Sequence, residues 1–479
     1  MNRLDYAALV DLPAGVARPN RSGPPTTGIV HFGPGAFHRA HQAAYIDTLL
    51  ASEPGWGIAA VSLRSAGTVA ALAEQQGLYT LAVRDAESSF RVIGAHSRFL
   101  GPDDAAETQA LLADPAVRLV TTTVTEKGYC LASDGALDRA HPDIVHDLAQ
   151  PAVPRSVIGW IVGGLAARHA RDVAPFVVMP CDNLAANGAK LKAALVDFAH
   201  ATAPAIGDWI AQHVLVPGTM VDSITPASDD ALYSDVASAL GVEDRAAVQR
   251  EAFTQWVIED LGDPVTAALG RAGATLTNNV AGYEQAKLRI LNGTHSTLAY
   301  AGLLRGHASV AEAMDDSVLA EFVDAMIRTD IIPTLTPVAG LDLEAYRAAV
   351  LTRFRNPVIV HRLDQIAIDG SQKIPYRLGD TLRWHRARGD MPGHVVTAIG
   401  CWIAFLMQRA RAGETIVDAA GPALTEAAQS GDAAAVLGRL IAARTGFSAD
   451  LAEDSVAAQA IAAAAQHAFD GDWSQLHGR

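Results

Sequence analysis

Lys287, Asn292 and His295 are the residues whose types and spacing most directly suggest chemistry in this 479-residue chain. A lysine whose pKa is lowered by its surroundings can take the proton of an alcohol near neutral pH. An asparagine amide and a histidine ring N–H can donate to the oxyanion that forms as the proton leaves. On one helix at about 100° per residue, Asn292 falls about 140° and His295 about 80° from Lys287, so the three share one broad side. Each has an ordinary alternative: a solvated lysine, an Asn-Gly helix break, a satisfied core histidine. Glu284, three residues before Lys287, lies on the same helical side, either as a proton relay to water or as an ion-pair partner.

A second constellation opens the chain. Gly28-Ile-Val-His-Phe32 reads as a short strand, and Gly33-Pro34-Gly35 follows it as a turn into a helical stretch. Glycines let backbone approach a pyrophosphate, and the helix start supplies N–H groups and the positive end of the dipole. The third glycine of the usual GxGxxG pattern is absent, because His38 stands there; a plain strand-to-helix turn is the competing reading. Asn183 follows the strand ending at Met179, where open α/β sheets bind ligands, or else it forms an Asx-turn. Asp222 follows a strand and could accept sugar hydroxyls or cap a helix. His31, His38 and His41 are spaced to share a face, but no carboxylate or thiolate completes a ligand set, so no metal is expected.

Gly33-Pro-Gly-Ala-Phe-His-Arg-Ala-His-Gln42 resembles the GxGxFxRxH signature of the mannitol dehydrogenase family, the polyol-specific long-chain dehydrogenases and reductases. Val124-Thr-Glu-Lys-Gly-Tyr-Cys130, Met179-Pro-Cys-Asp-Asn183, Met220-Val-Asp222, Gln255-Trp-Val-Ile-Glu-Asp260 and Lys287-Leu-Arg-Ile-Leu-Asn-Gly-Thr-His295 look like further family blocks, in family order. The resemblance implies an oxidoreductase with Lys287 as acid/base and Asn292 and His295 at the substrate oxygen. It implies a nicotinamide cofactor near Gly33, Gly35, Ala36, Phe37, Arg64, Thr123, Val124 and Asn183, and substrate contacts at Asn183 and Asp222. Ser223 stands where the family usually has arginine.

The cofactor's identity turns on the second strand, which ends Val61-Ser-Leu-Arg-Ser65 without the acid that would bind ribose hydroxyls. Arg64 and Ser65 could meet a 2′-phosphate. The uronate-type relatives that this stretch resembles are NAD-linked, so NAD is expected and NADP stays open.

His361-Arg-Leu-Asp-Gln-Ile-Ala-Ile-Asp-Gly-Ser-Gln-Lys-Ile-Pro-Tyr-Arg377 resembles the uronate-reducing branch. A uronate carboxylate needs fixed cations, for which Arg362, Lys373 and Lys127 are the candidates; pairing with Asp364 and Asp369 is the alternative. The activity implied is interconversion of D-fructuronate and D-mannonate, with tagaturonate/altronate and mannitol/fructose as neighbours. A catalytically silent NAD-sensing regulator is the reading outside enzymes, and a lost Lys287, Asn292 or His295 would have favoured it.

The elements needed to hold these residues are legible in the patterning. Strand-like runs at Trp56 to Leu63, Val117 to Val124 and Pro175 to Met179 alternate with helical segments, including Val157 to Ala170, as expected for a parallel sheet with helices on both faces. Leu78 to Val83 and Phe90 to Phe99 alternate like a strand pair. Beyond Tyr283 the segments are helical: Gln285 to Leu304, Val310 to Arg328, Leu343 to Arg353, His394 to Arg411, Ala433 to Arg444 and Leu451 to His467. The expected fold is an α/β Rossmann-type N-terminal domain, residues 1–280, that binds NAD, and a mainly α-helical substrate and catalytic domain, residues 281–479.

Composition sets the outer limits. Half the residues are hydrophobic and 19% charged, with 37 basic against 52 acidic side chains and a formal charge of −15. A surface that negative repels nucleic acid and anionic membranes, leaving a small-molecule substrate as the expected partner. The apolar run Val395 to Met407 is shorter than the roughly 20 residues that cross a bilayer. Cys130, Cys181 and Cys401 are too few and too scattered for a disulfide framework. Met1 to Ala17 carries Asp5 and Asp11 rather than a basic start and apolar block, so a cytoplasmic location is expected.

Overall fold

A computed structural model describes residues 2–19, 23–447 and 450–476. The chain divides into two compact units, Met1–Ala281 and Gly282–Arg479.

The first unit is built on a five-stranded, all-parallel sheet. Its order is His96–Leu100, Gly57–Val61, Thr27–Phe32, Leu119–Thr122, Val177–Pro180. Numbered along the chain this is 3-2-1-4-5, so the order reverses beside the Thr27–Phe32 strand, where doubly wound sheets bind ligands. The runs are apolar on both faces, and successive side chains point to opposite sides. Ile29, Leu119 and Val177 enter one core, while their neighbours Val30, Val120 and Val178 enter the other. The helix Val157–His169 covers the second face with Ile158, Ile161 and Leu165, and the N–H of Gly159 is received by its Ser156 cap.

The expected pairing of Leu78–Val83 with Phe90–Phe99 is half of what the fold does. Tyr79–Arg84 pairs antiparallel with Ser89–Ile93, but His96–Leu100 leaves that sheet and becomes the edge strand of the parallel one. The break falls at Gly94, whose N–H donates to Asp47 Oδ1 (3.0 Å). A third, three-stranded sheet joins Thr219–Asp222, Gln255–Glu259 and Thr275–Thr277.

The second unit is helical, with no strand among its described residues beyond the isolated bridge Ser309–Arg362. Its central helix, Gly393–Arg411, is buried along most of its length and packs on Gly293–Leu304 and Ser455–Phe469. The alanine-rich tail has a packing reason. A Cβ on Gly400 would lie 2.8 Å from both the Ala464 Cβ and the Ala465 nitrogen, so small side chains let these helices close on one another. Among the described residues, no helix is long and apolar enough to cross a membrane.

One regularity of the sequence fails here. The long helical segment after Val280 is α-helical over Val280–Ala286 and Gly293–Leu304, but Lys287–Asn292 between them is π-helical. Met326–Ile331 and Pro375–Gly379 are π-helical too, and both pack against the first π-turn. Pro375 has no N–H to give to a regular ladder, and a wider turn accommodates it.

Candidate active site

Gly33 begins the turn after the Thr27–Phe32 strand with φ +91°, in the region that favours glycine. A Cβ there would lie 2.3 Å from the Thr123 carbonyl oxygen, so the chain ends of two adjacent parallel strands touch through this glycine. The Thr123 hydroxyl donates to the Gly33 carbonyl (2.7 Å), and His31 Nε2 lies 3.1 Å from the same oxygen. Gly35 is different. Its φ of −67° and ψ of −177° suit any residue, and a Cβ would meet nothing closer than the Gly33 oxygen at 3.9 Å. The dihedral requirement therefore sits at Gly33 alone, and the space in front of Gly35 is open, as a bound pyrophosphate needs.

Ala36 and Phe37 open the short helix Ala36–Ala40, which breaks at His41 before Gln42–Leu49 resumes. Phe37 stacks on His41 at 5.0 Å. His38 replaces the third glycine by ring stacking. It lies flat on His31, centroids 3.4 Å apart, with its Nε2 3.2 Å from His96 Nε2. The usual glycine permits close helix–strand packing; here two imidazoles fill a wider gap. His31 Nδ1 faces the Thr121 hydroxyl and His41 Nε2 the Gln255 carbonyl.

Burial pushes His31 down to about 3 and His38 well below the ordinary histidine value. Both are neutral in the fold and gain a proton on unfolding at mild acidity. Their neutral burial costs nothing above about pH 6.5, and stability is lost as pH falls from there toward 3, by up to about 1.4 kcal/mol per unit for each group. We expect the melting midpoint to drop between pH 7 and pH 5. An unchanged midpoint would mean that these rings are not desolvated.

Asp182, which the sequence offers only as part of the Met179–Asn183 block and of an Asx-turn, organises the next strand end. It accepts the N–H groups of Thr125 (2.8 Å) and Val124 (3.3 Å) and the Tyr129 hydroxyl. Burial raises its pKa. It thereby fixes Thr123 and Val124 beside the Gly33 turn, with exposed Asn183 immediately after it. Asp222 ends the Thr219–Asp222 strand and is buried. Ser223, the departure from the family pattern, donates its hydroxyl to the Phe253 carbonyl (3.0 Å).

Beyond the second and third strands lies a cavity of about 510 Å³, lined by Leu63, Arg64, Gly101, Pro102, Asp143 and Trp160 among others. Arg64 is largely exposed and 3.6 Å from Asp143, an acid that comes from a distant segment to where the strand itself has none. Among the described residues, Cys130, His141 and Asp143 bring ligand-type atoms within 4.8 Å of one another. However, His141 Nδ1 already accepts the Asp143 N–H (3.2 Å). Burial with nearby carboxylates also pushes the Cys130 thiol up to about 11. Lys127 lies in the turn Glu126–Tyr129 and is exposed.

In the second unit, Lys287 and Asn292 are the first and last residues of the π-turn, and His295 lies in the α-helix after it. This corrects the regular-helix geometry expected from sequence. Residues five apart stand about 140° apart on an α-helix, whereas i→i+5 bonding brings them toward alignment. Asn292 is thus carried round toward Lys287. Arg289, on the same turn, donates to Thr334 Oγ1 (2.8 Å), and Ile290 and Leu291 are buried. Glu284 is half-buried in the preceding helix.

His295 stacks on Phe354 (4.4 Å) and meets His361 edge-on (5.7 Å). The Nε2 atoms of both histidines are buried without a hydrogen-bond partner. Burial holds His295 well below the ordinary range and takes His361 down to about 4. A buried unmet polar atom costs about 1–3 kcal/mol, so two adjacent ones point to a ligand oxygen. His361 was visible in the sequence only as part of a motif.

The cations separate sharply. Arg362 is exposed and forms a two-bonded pair with Asp364, one bond 3.0 Å. Its guanidinium is held by the local acid. Lys373 donates to the carbonyls of Ile366 (3.4 Å) and Ile368, and burial lowers its pKa. Arg377, one turn on, donates from Nη1 to Ser296 Oγ (3.0 Å) and to the Asn292 carbonyl (3.4 Å).

Known proteins resemble this chain along nearly its whole length. The mannitol dehydrogenase Rossmann domain matches residues 27–266, and the mannitol dehydrogenase C-terminal domain residues 279–468. D-Mannonate oxidoreductase of Escherichia coli (strain K12) is 40% identical over 406 residues, 83% of each chain. The ternary complex of Pseudomonas fluorescens mannitol 2-dehydrogenase with NAD and D-mannitol superposes with a TM-score of 0.83 at 34% identity, covering 99% of both chains. A substrate-free D-sorbitol dehydrogenase gives 0.90 at 30% identity, covering 99% of this chain and 100% of its own.

Proposed function

Because the chain belongs to the mannitol dehydrogenase family, we propose that it is an NAD-dependent oxidoreductase interconverting D-fructuronate and D-mannonate. The observation that carries the reading is the buried, unpartnered His295 Nε2 on the helix whose π-turn bears Lys287 and Asn292. When bound, NAD(H) supplies or accepts the hydride. Gly33, Gly35, Ala36 and Phe37 cradle its phosphates, with Thr123, Val124 and Asn183 beside them and Arg64 toward the adenosine end. Lys287 exchanges the proton of the reacting hydroxyl, while the Asn292 amide and His295 ring hold its oxygen. Asn183, Asp222 and Lys373 take the remaining polar atoms of the sugar, and Glu284 passes the lysine's proton toward water. Arg362 is left out of this assignment because Asp364 occupies it.

The similarity to D-mannonate oxidoreductase supports a sugar acid. A second reading, a mannitol 2-dehydrogenase type of polyol oxidoreductase, draws on the Pseudomonas fluorescens complex. The Pseudomonas fluorescens relative's complex with NAD supports NAD as the cofactor. A cytoplasmic location fits an enzyme that draws on a nicotinamide cofactor.

A substrate panel decides between the readings: D-fructuronate, D-tagaturonate, D-fructose and D-xylulose, each with NADH and with NADPH. We expect the highest kcat/KM for D-fructuronate with NADH. A preference for D-fructose would move the protein to the polyol branch, and no turnover with any ketose would return it to the cofactor-sensing class.

A further inference from the structure

We propose that Arg377 is the cation that receives the carboxylate of the sugar acid. The inference rests on the sugar-acid reading above and names the residue that would enforce it. Arg377 sits in the second π-turn, Pro375–Gly379, which packs directly against the π-turn that carries Lys287 and Asn292. The approach is close. A Cβ on Gly293 would stand 3.0 Å from the Arg377 carbonyl oxygen, so glycine at that position is what allows the two turns to meet.

Three observations separate Arg377 from the other cations. It is half-buried, and burial lowers its pKa, yet among the described residues no carboxylate pairs with it. Arg362, by contrast, is exposed and neutralised by Asp364. The guanidinium uses only Nη1 in the bonds found, to Ser296 Oγ and the Asn292 carbonyl, which leaves Nε and Nη2 as a side-on pair of donors. Those bonds also place it beside the turn that carries His295, which lies three residues after Asn292 and one before Ser296 and has a buried, unpartnered Nε2. A desolvated guanidinium without a counter-ion is costly, and a bidentate carboxylate is the ligand that offsets it best. An uncharged hydroxymethyl group would leave the charge unmet.

Arg377→Gln tests this through selectivity. We expect kcat/KM for D-fructuronate to fall roughly 10- to 150-fold, mostly through KM, with a smaller loss on D-fructose. Arg377→Lys should recover part of the loss, since it keeps the charge and gives up the fork. Equal losses on both substrates, carried in kcat, would overturn the proposal and leave Arg377 as a brace on the Asn292 carbonyl, with the sugar-acid reading intact. Wild-type enzyme gives an answer that does not depend on the variants folding. D-Fructuronate should outperform its neutral carboxamide by about tenfold or more, and equal use of the two would also overturn the proposal. A wild type that reduces D-fructose but no uronate would sink the sugar-acid reading itself.

Discussion

Lys287→Met is expected to lower kcat by about 10²- to 10⁴-fold while leaving the NADH dissociation constant unchanged. Positioned proton transfer supplies that much rate, and methionine keeps an unbranched apolar stem while removing the amine. The loss should appear equally in kcat and kcat/KM, because the contribution is made in the transition state rather than in substrate binding. NADH titration by fluorescence checks that the cofactor side is intact, and steady-state kinetics measures the rest. A variant that keeps more than about a tenth of wild-type kcat would make another group the base. The π-turn adds a sharper expectation. Asn292→Ala, which removes a donor to the oxyanion but no proton acceptor, should also lower kcat, by about 10²- to 10³-fold if the amide holds the developing charge as an oxyanion-hole donor does.

The two glycines of the first turn should fail in different ways. Gly35→Val should weaken NADH binding strongly with little change in melting midpoint. Its backbone conformation is open to any residue, and the side chain would project into empty space that a pyrophosphate requires. Gly33→Val should compromise the fold itself. The position has φ +91°, and a Cβ would overlap the Thr123 carbonyl at 2.3 Å, with backbone on both sides unable to give way. Thermal unfolding with and without NADH separates the two outcomes. If Gly35→Val titrates with NADH like the wild type, the turn does not hold a dinucleotide.

How much of this could be read beforehand depends on the range of the interactions involved. The strand–turn–helix at Gly33, the alternation of apolar residues through the parallel sheet, and the change to helical spacing after Tyr283 are local patterns. They follow from periodicities of two and 3.6 residues. The motif blocks single out Lys287, Asn292 and His295 as candidates because these lie close together along one segment. Asp182, His361 and Arg377 lie within motif blocks, but the sequence gives them no role in the chemistry, for the opposite reason. Asp182 matters through Val124, Thr125 and Tyr129, more than fifty residues away, and Arg377 through Asn292 and Ser296, more than eighty away.

The sequence by itself determined which residues could do chemistry, which strand ends in the glycine turn, and that a parallel sheet precedes a helical unit, since each is set by residue type and short spacing. Only the tertiary structure decided the helix type at Lys287, because a π-turn differs from an α-turn by one residue per turn, held here by packing against two other π-turns. It also decided which cation is neutralised and which is not. Charge on an arginine is fixed by its type, but its availability depends on the acids that folding brings near. Asp364 lies two residues from Arg362 and takes it, whereas Arg377 is carried into a site where, among the described residues, no acid pairs with it.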